Sequence, residues 1–175
     1  MSIRYEAHRI MVLQTPLVPS DCQLVLNISD QIITLLNNGS ILAQHYFPRY
    51  QFRLLLLLLK LPGGALHAEL LAMLDSSEKS LQAMLTTSGE KEVTMLMHRH
   101  IQRWQAHLSQ ISQDGPKAKR RELAVVRRSL TGKRGLNTLL HDFGMAVYPV
   151  YKQGYVLRPV DQGRREKDRN KVLAS

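Results

Sequence analysis

The sequence has few of the features by which secreted, membrane or metal-binding proteins are recognised. Cys22 is the only cysteine, so neither an internal disulfide nor a cysteine-rich metal framework can form. The longest apolar run, Leu54 to Leu59, is bracketed by Arg53 and Lys60 and falls far short of the roughly 20 residues of a membrane-spanning helix. The charged N-terminus does not have the apolar stretch of a secretory signal. We therefore expect a soluble, cytoplasmic protein that does not enter a membrane.

Sequence signatures of catalysis are also missing. Gly63-Gly64 lacks the lysine and hydroxyl residue of a P-loop, and no nucleophile elbow is present. Acidic residues occur singly rather than in the close pairs that two-metal or acid/base chemistry requires. Cys22 lies in a strand-like stretch typical of a small buried residue, and His98 and His100 would face different sides of a helix. We expect no enzymatic activity, no catalytic or metal-binding residue and no cofactor.

Positive charge is concentrated in the last third of the chain. The 175 residues contain 24 Lys and Arg and 14 Asp and Glu, a formal net charge of +10. Residues 1–115 contain nine of each sign, whereas residues 116–175 contain fifteen basic and five acidic side chains, which accounts for the whole excess. Clustered cations gain affinity for a polyanion by displacing the counterions on its phosphates. The distribution favours a nucleic-acid-binding surface over the alternative, a solvated basic face without a partner.

The N-terminal part of the sequence predicts a small antiparallel sheet followed by helices. Asn37-Asn38-Gly39-Ser40 is a strong turn signal, because Asn and Gly adopt positive φ at little cost. Strands are expected over 23–28, 31–36 and 41–46, and helices over 50–61, 66–74 and from an N-cap at 75–77 to about residue 85.

A long helix is predicted over residues 91–112. Its apolar residues recur at alternating spacings of four and three and form one seam: Met97, Ile101, Trp104, Leu108 and Ile111. The seam can pack on the protein's own core, or it can pair with a second copy or a protein partner, and the pattern does not decide between these alternatives.

A basic amphipathic helix is expected after the break at Asp114-Gly115-Pro116. Leu123, Val126 and Leu130 lie at i, i+3 and i+7 and define a buried stripe, while arginines occupy the other faces. A loop over 131–134, a short helix over 136–143 ended by Gly144, and strands over 145–151 and 155–158 should follow, with Tyr148, Tyr151 and Tyr155 packing the hairpin. The basic segment 161–175 is too polar to bury much and is expected to be a flexible tail.

Three stretches of the sequence resemble the winged-helix DNA-binding output domain of bacterial response regulators of the OmpR/PhoB type. Residues 50–71 are similar to the first helix, turn and second helix of that family. Val126-Arg127-Arg128-Ser129-Leu130 resembles the end of its recognition helix, and Gly154-Tyr155-Val156-Leu157 resembles the end of its wing. Unlike the family, the sequence has no preceding receiver domain, and an insertion lies before the recognition helix.

The predicted fold is α+β, a winged helix-turn-helix with an N-terminal small antiparallel sheet, a C-terminal β-hairpin wing and an inserted long helix. Residues 1–22 are expected to form an N-terminal segment and residues 23–160 a winged-helix domain with a helical insertion at about 76–113. The candidate DNA-binding residues are Lys117, Lys119, Arg120, Arg121, Arg127, Arg128, Lys133, Arg134 and Lys152.

The predicted function is binding of double-stranded DNA, sequence-specific or architectural, by a bacterial transcription regulator or a DNA-targeting subunit. The alternative is a protein-interaction subunit of a larger nucleoprotein assembly, which uses the winged helix as a docking scaffold and whose basic tail meets RNA or an acidic partner.

Overall fold

The computed structural model of the chain describes residues 10–85 and 89–160 and has an α+β architecture. The chain divides into two compact units. The described part of the first unit comprises residues 10–46, 139–146 and 158–160, and that of the second comprises 47–85, 89–138 and 147–157. The predicted tail, 161–175, and the first nine residues of the predicted N-terminal segment lie outside the described residues.

A four-stranded antiparallel sheet forms most of the first unit. Its strands follow in chain order: β1 (Ile10–Leu13), β2 (Cys22–Asn27), β3 (Ile32–Asn37) and β4 (Ser40–Tyr46). Residues alternate between the two faces, so that Leu24 and Leu26 are fully buried. The strand predictions are confirmed, and Asn38 and Gly39 adopt the positive φ expected of the turn. Strand β1 was not predicted; it pairs with β2, Met11 opposite Leu26.

The second unit contains most of the helices of the described chain. In chain order the elements from Arg49 onward are α1 (Arg49–Lys60), β5 (Ala65–Leu66), α2 (His67–Leu74), α3 (Glu78–Leu85), α4 (Glu90–Leu96), α5 (His98–Ser112), α6 (Pro116–Glu122), α7 (Ala124–Thr131), α8 (Leu136–Leu140), a 3₁₀ turn (His141–Phe143), β6 (Met145–Val150) and β7 (Gly154–Pro159).

Helix α1 is the centre of the core of the second unit. All residues from Phe52 to Leu58 are buried, because helices α2 and α7 both pack against it. The helix ends before Pro62, which cannot continue the ladder of hydrogen bonds. At the start of α3 the Ser77 hydroxyl accepts a hydrogen bond from the backbone N–H of Ser80, as the predicted N-cap requires.

The prediction of one long helix over residues 91–112 is wrong. The segment forms two helices, α4 and α5, separated at Met97, whose backbone lies at φ −98° and ψ 3°. No proline or glycine marks the break. Met97 at the break and Val93, one turn before it, are both buried.

The apolar seam packs within the chain, because helix α5 lies against α2. Met97, Ile101 and Leu108 are buried, and Trp104 and Ile111 are half-buried. Met97, Ile101 and Leu108 therefore pack on the protein's own core.

The prediction of one continuous basic helix is also wrong. Arg120 and Arg121 end α6, whereas Arg127 and Arg128 lie in α7, and the two helices meet at Leu123. Hydrogen bonds run from Leu123 N–H to Lys119 C=O and from Arg127 N–H to Leu123 C=O, so the chain bends here without a loop. The predicted stripe is present in α7, where Val126 and Leu130 are fully buried, and Leu123 is half-buried at the bend.

A hairpin completes the second sheet, whose strand order is β5-β7-β6. Strand β5 pairs with β7, with Ala65 opposite Tyr155 and Leu66 opposite Gly154. The predicted short helix before the hairpin is confirmed, and Gly144 ends it at φ 72°. The Asn137 side chain is hydrogen-bonded to both the N–H and the C=O of Val147, which fixes the start of the hairpin against the first turn of α8.

Candidate nucleic-acid interface

The nine cations predicted to bind DNA all belong to the second unit. Four lie on α6, two on α7, two in the turn after α7 and one in the hairpin turn. All are exposed except Lys119, which is half-buried. Within the described residues none of them forms an ion pair with an acidic side chain. Their charge therefore remains available to a ligand.

Helix α7 presents its arginines from an apolar underside. Val126 and Leu130 face the core beneath α1 and α2, and Arg127 and Arg128 point to solvent. The Arg128 Nε donates to the carbonyl of Ala124 at 3.3 Å, which holds the guanidinium along the helix. After the helix, a Cβ on Gly132 would come within 2.5 Å of the Arg128 carbonyl oxygen, so only glycine allows the chain to turn this closely.

Glu122 is the one acidic residue between residues 116 and 138. Its Oε1 lies 3.2 Å from Nε2 of His107 in α5. The contact connects α6 to α5, and the carboxylate does not pair with any of the nine candidate cations. The geometry thus leaves the adjacent Arg120 and Arg121 exposed and unpaired within the described chain.

The hairpin turn carries an aromatic residue that the sequence prediction misplaced. Tyr151 was expected to pack the hairpin, but its side chain is 82% exposed. Strand β6 ends at Val150, so Tyr151 lies in the turn rather than over the sheet. Lys152 Nζ lies 5.2 Å from the centre of the Tyr151 ring, a cation–π contact. Tyr148 and Tyr155 are half-buried, as expected of residues that pack the hairpin.

The hairpin and the start of α2 meet close to two of the cations. The backbone N–H of His67 donates to the carbonyl of Gln153 at 3.0 Å, and its ring meets Tyr155 edge-on at 5.9 Å between centroids. Burial lowers the pKa of His67, and Lys119 lowers it further. Burial raises the pKa of Tyr155, which the charge of Arg127 partly opposes. The sequence prediction had not singled out His67, because a lone histidine at the start of a helix is not a recognisable sign of a binding site.

The single cysteine and the first two histidines of α5 differ in their exposure. Cys22 is buried, as predicted, and burial together with the neighbouring carboxylate of Asp21 raises its pKa, which disfavours the reactive thiolate. His98 is exposed, whereas His100 is half-buried and its Nδ1 has no hydrogen-bond partner in the described chain. No group of three or more metal-ligating side chains occurs among residues 10–85 and 89–160.

In the part of the chain that the structure describes, no helix has the length and apolar character needed to cross a membrane.

Comparisons of the chain with protein-family models, with curated proteins and with solved structures find no match.

Proposed function

We propose that this protein binds double-stranded DNA as a winged-helix module, with α7 as the recognition helix and the β6–β7 hairpin as the wing. One observation carries the proposal: Arg127 and Arg128 project from a helix whose opposite side is fully buried, and no described acidic group neutralises them. A rigidly held basic helix suits insertion into the major groove, where arginine hydrogen-bonds guanine or phosphate.

The order of the elements supports the same proposal. A small sheet precedes three mutually packed helices, α1, α2 and α7, and a hairpin that pairs with β5. This is the arrangement that the resemblance to OmpR/PhoB-type output domains implies. The bend at Leu123 modifies the proposed contacts: Arg127 and Arg128 enter the groove, whereas Lys117, Lys119, Arg120 and Arg121 of α6 contact the flanking phosphates. Lys133, Arg134 and Lys152 extend these backbone contacts, and the exposed Tyr151 joins them at the wing tip.

The proposed role is transcriptional regulation or the targeting of a larger assembly to DNA. Phosphate contacts supply affinity without sequence information, and base contacts by the arginines of α7 would supply specificity. A protein that contacted only phosphates would have an architectural role.

Charge reversal in α7 tests the proposal. The variant Arg127→Glu/Arg128→Glu should bind duplex DNA at least about 100-fold more weakly than the wild type in a gel shift, because two attractions become repulsions. The matched control is Lys79→Glu/Lys91→Glu, which makes the same change in net charge at exposed positions of α3 and α4.

Two results would contradict the proposal. Equal losses in the two variants would mean that net charge, rather than the α7 surface, governs binding. A wild-type protein that shifts no duplex would favour the docking-scaffold alternative.

A further inference from the structure

We propose that His67 and Tyr155 form a site for a single phosphodiester group, the phosphate seat, in which both side chains donate hydrogen bonds near the charges of Lys119 and Arg127. The inference rests on the proposed binding of DNA. It adds to that proposal two neutral side chains that are not among the nine predicted DNA-binding residues, and it assigns them to the sugar–phosphate backbone rather than to bases.

Backbone pairing brings His67 and Tyr155 close together. Strand β5 pairs with β7 so that Ala65 lies opposite Tyr155, and His67 follows directly on β5. The hydrogen bond from His67 N–H to Gln153 C=O, 3.0 Å long, extends this pairing into the hairpin turn. The rings then meet edge-on, with an interplanar angle of 72°. The backbone of both residues is thus positioned before any ligand arrives, which reduces the entropy lost on binding.

Both rings have polar groups that remain open to a ligand. His67 and Tyr155 are half-buried, and neither the imidazole nitrogens nor the phenol oxygen is hydrogen-bonded to another described residue. A neutral imidazole retains one N–H donor and a phenol retains its O–H. A phosphodiester has two unbridged oxygens that accept such donors strongly, because the acceptor is charged.

Positive charge reaches this place from two different helices. Lys119 of α6 is close enough to act on the titration of His67, and Arg127 of α7 is close enough to act on that of Tyr155. The four side chains therefore come from α2, α6, α7 and β7, all within the second unit. Two neutral donors with two cations nearby suit a small anionic group better than the edge of a base, since half-buried donors do not extend into a groove.

The test uses variants that preserve the aromatic contact. His67→Phe/Tyr155→Phe keeps two rings and removes both donors, and Tyr148→Phe removes a hydroxyl from the other strand of the hairpin as the control. The double variant should bind both a specific and a random duplex at least about tenfold more weakly, since two charge-assisted hydrogen bonds are lost. The control should bind as the wild type does.

Ethylation interference on the duplex identifies the phosphate. Ethylation of one particular phosphate should weaken DNA binding by the wild type. The same ethylation should not affect the double variant, because that variant no longer contacts this phosphate. The Tyr155→Phe single variant, which removes one hydroxyl and leaves the fold intact, should weaken the same interference signal.

The outcomes separate this inference from the proposed function. In one outcome the wild type binds DNA, Arg127→Glu/Arg128→Glu loses binding, and His67→Phe/Tyr155→Phe keeps full affinity. This result would overturn the phosphate seat and leave the proposed DNA binding in place. A loss of affinity confined to the specific duplex would also overturn the seat, since it would assign the rings to base recognition. A wild type that binds no duplex overturns both.

Discussion

Arg53 is the most deeply buried charge among the described residues, with 2% of its surface exposed. It lies within the leucine-rich helix α1, and its guanidinium reaches the segment between α2 and α3. Nη1 donates to the Ser76 carbonyl at 2.6 Å, and Nη2 donates to Oε1 of Glu78 at 2.6 Å. A buried charge is tolerated only where such partners replace its hydration. Arg53 therefore fixes α1 to the turn that begins the helical insertion.

Replacing Arg53 with methionine should lower the free energy of unfolding by roughly 1–3 kcal/mol, because the buried carbonyl of Ser76 loses its partner while the apolar volume is kept. Urea unfolding followed by circular dichroism measures the change. The control is Arg49→Met, since Arg49 is exposed and only 3.8 Å from the same Glu78 carboxylate. Its loss should be at most about 0.5 kcal/mol, as for other surface ion pairs. Equal losses would show that the buried hydrogen bonds of Arg53 add nothing.

At the scale of single elements, strand β5 and the hairpin approach each other closely at Gly154. Gly154 lies opposite Leu66, and a Cβ at this position would collide with the backbone carbonyl of Ala65. Glycine is required here because a side chain has no room, and the neighbouring backbone cannot move aside as a flexible side chain does. The same pairing aligns His67 with Tyr155, so the glycine supports the proposed phosphate seat as well as the sheet.

We expect Gly154→Ala to destabilise the protein by about 1–3 kcal/mol, as other substitutions that overfill a packed site do. A thermal melt compares it with Gly63→Ala, whose added Cβ would meet open space. DNA binding by Gly154→Ala should also weaken at temperatures where the protein is folded, because the hairpin is displaced from α2. Melting midpoints that coincide for the two variants would show that the β5–β7 pairing is loose enough to accept a side chain.

At the scale of the whole molecule, the net charge of +10 arises entirely from residues 116–175. The described part of that excess lies largely on α6, α7 and the turns beside them in the second unit, and the first unit presents a sheet with exposed apolar side chains such as Ile41, Leu42 and Tyr46. The described parts of the two units thus have chemically different surfaces. Among the described residues, the cation-rich surface that suits a polyanion belongs to the second unit.

Salt dependence of binding measures how many of these cations meet phosphates. The logarithm of the association constant should fall linearly with the logarithm of salt concentration, with a slope of about −0.9 for each phosphate contacted. Anisotropy titrations with labelled duplex should show that Lys117→Gln/Lys119→Gln reduces the magnitude of the slope by about 1.8 if both residues contact phosphate. Lys79→Gln/Lys91→Gln should leave it unchanged, and a shared slope for all three proteins would remove α6 from the interface.

The sequence alone determined the features that depend on near neighbours in the chain. The leucine-rich α1, the turn at Asn38-Gly39, the N-cap at Ser77 and the stop at Gly144 each follow from local conformational preference and hydrophobic period. The concentration of cations after residue 116 is likewise a property of composition, and so is their exposure on a helix whose other side is apolar.

Tertiary structure alone decided where helices bend and which distant residues meet. Met97 and Leu123 interrupt helices without a proline or glycine, because packing against other elements selects the bend and periodicity continues through it. The burial of Arg53 depends on Ser76 and Glu78, and the meeting of His67 with Tyr155 depends on strand pairing between segments far apart in the chain. Local patterns report which face of an element is apolar; only the packed fold decides what that face, or the polar group beside it, will contact.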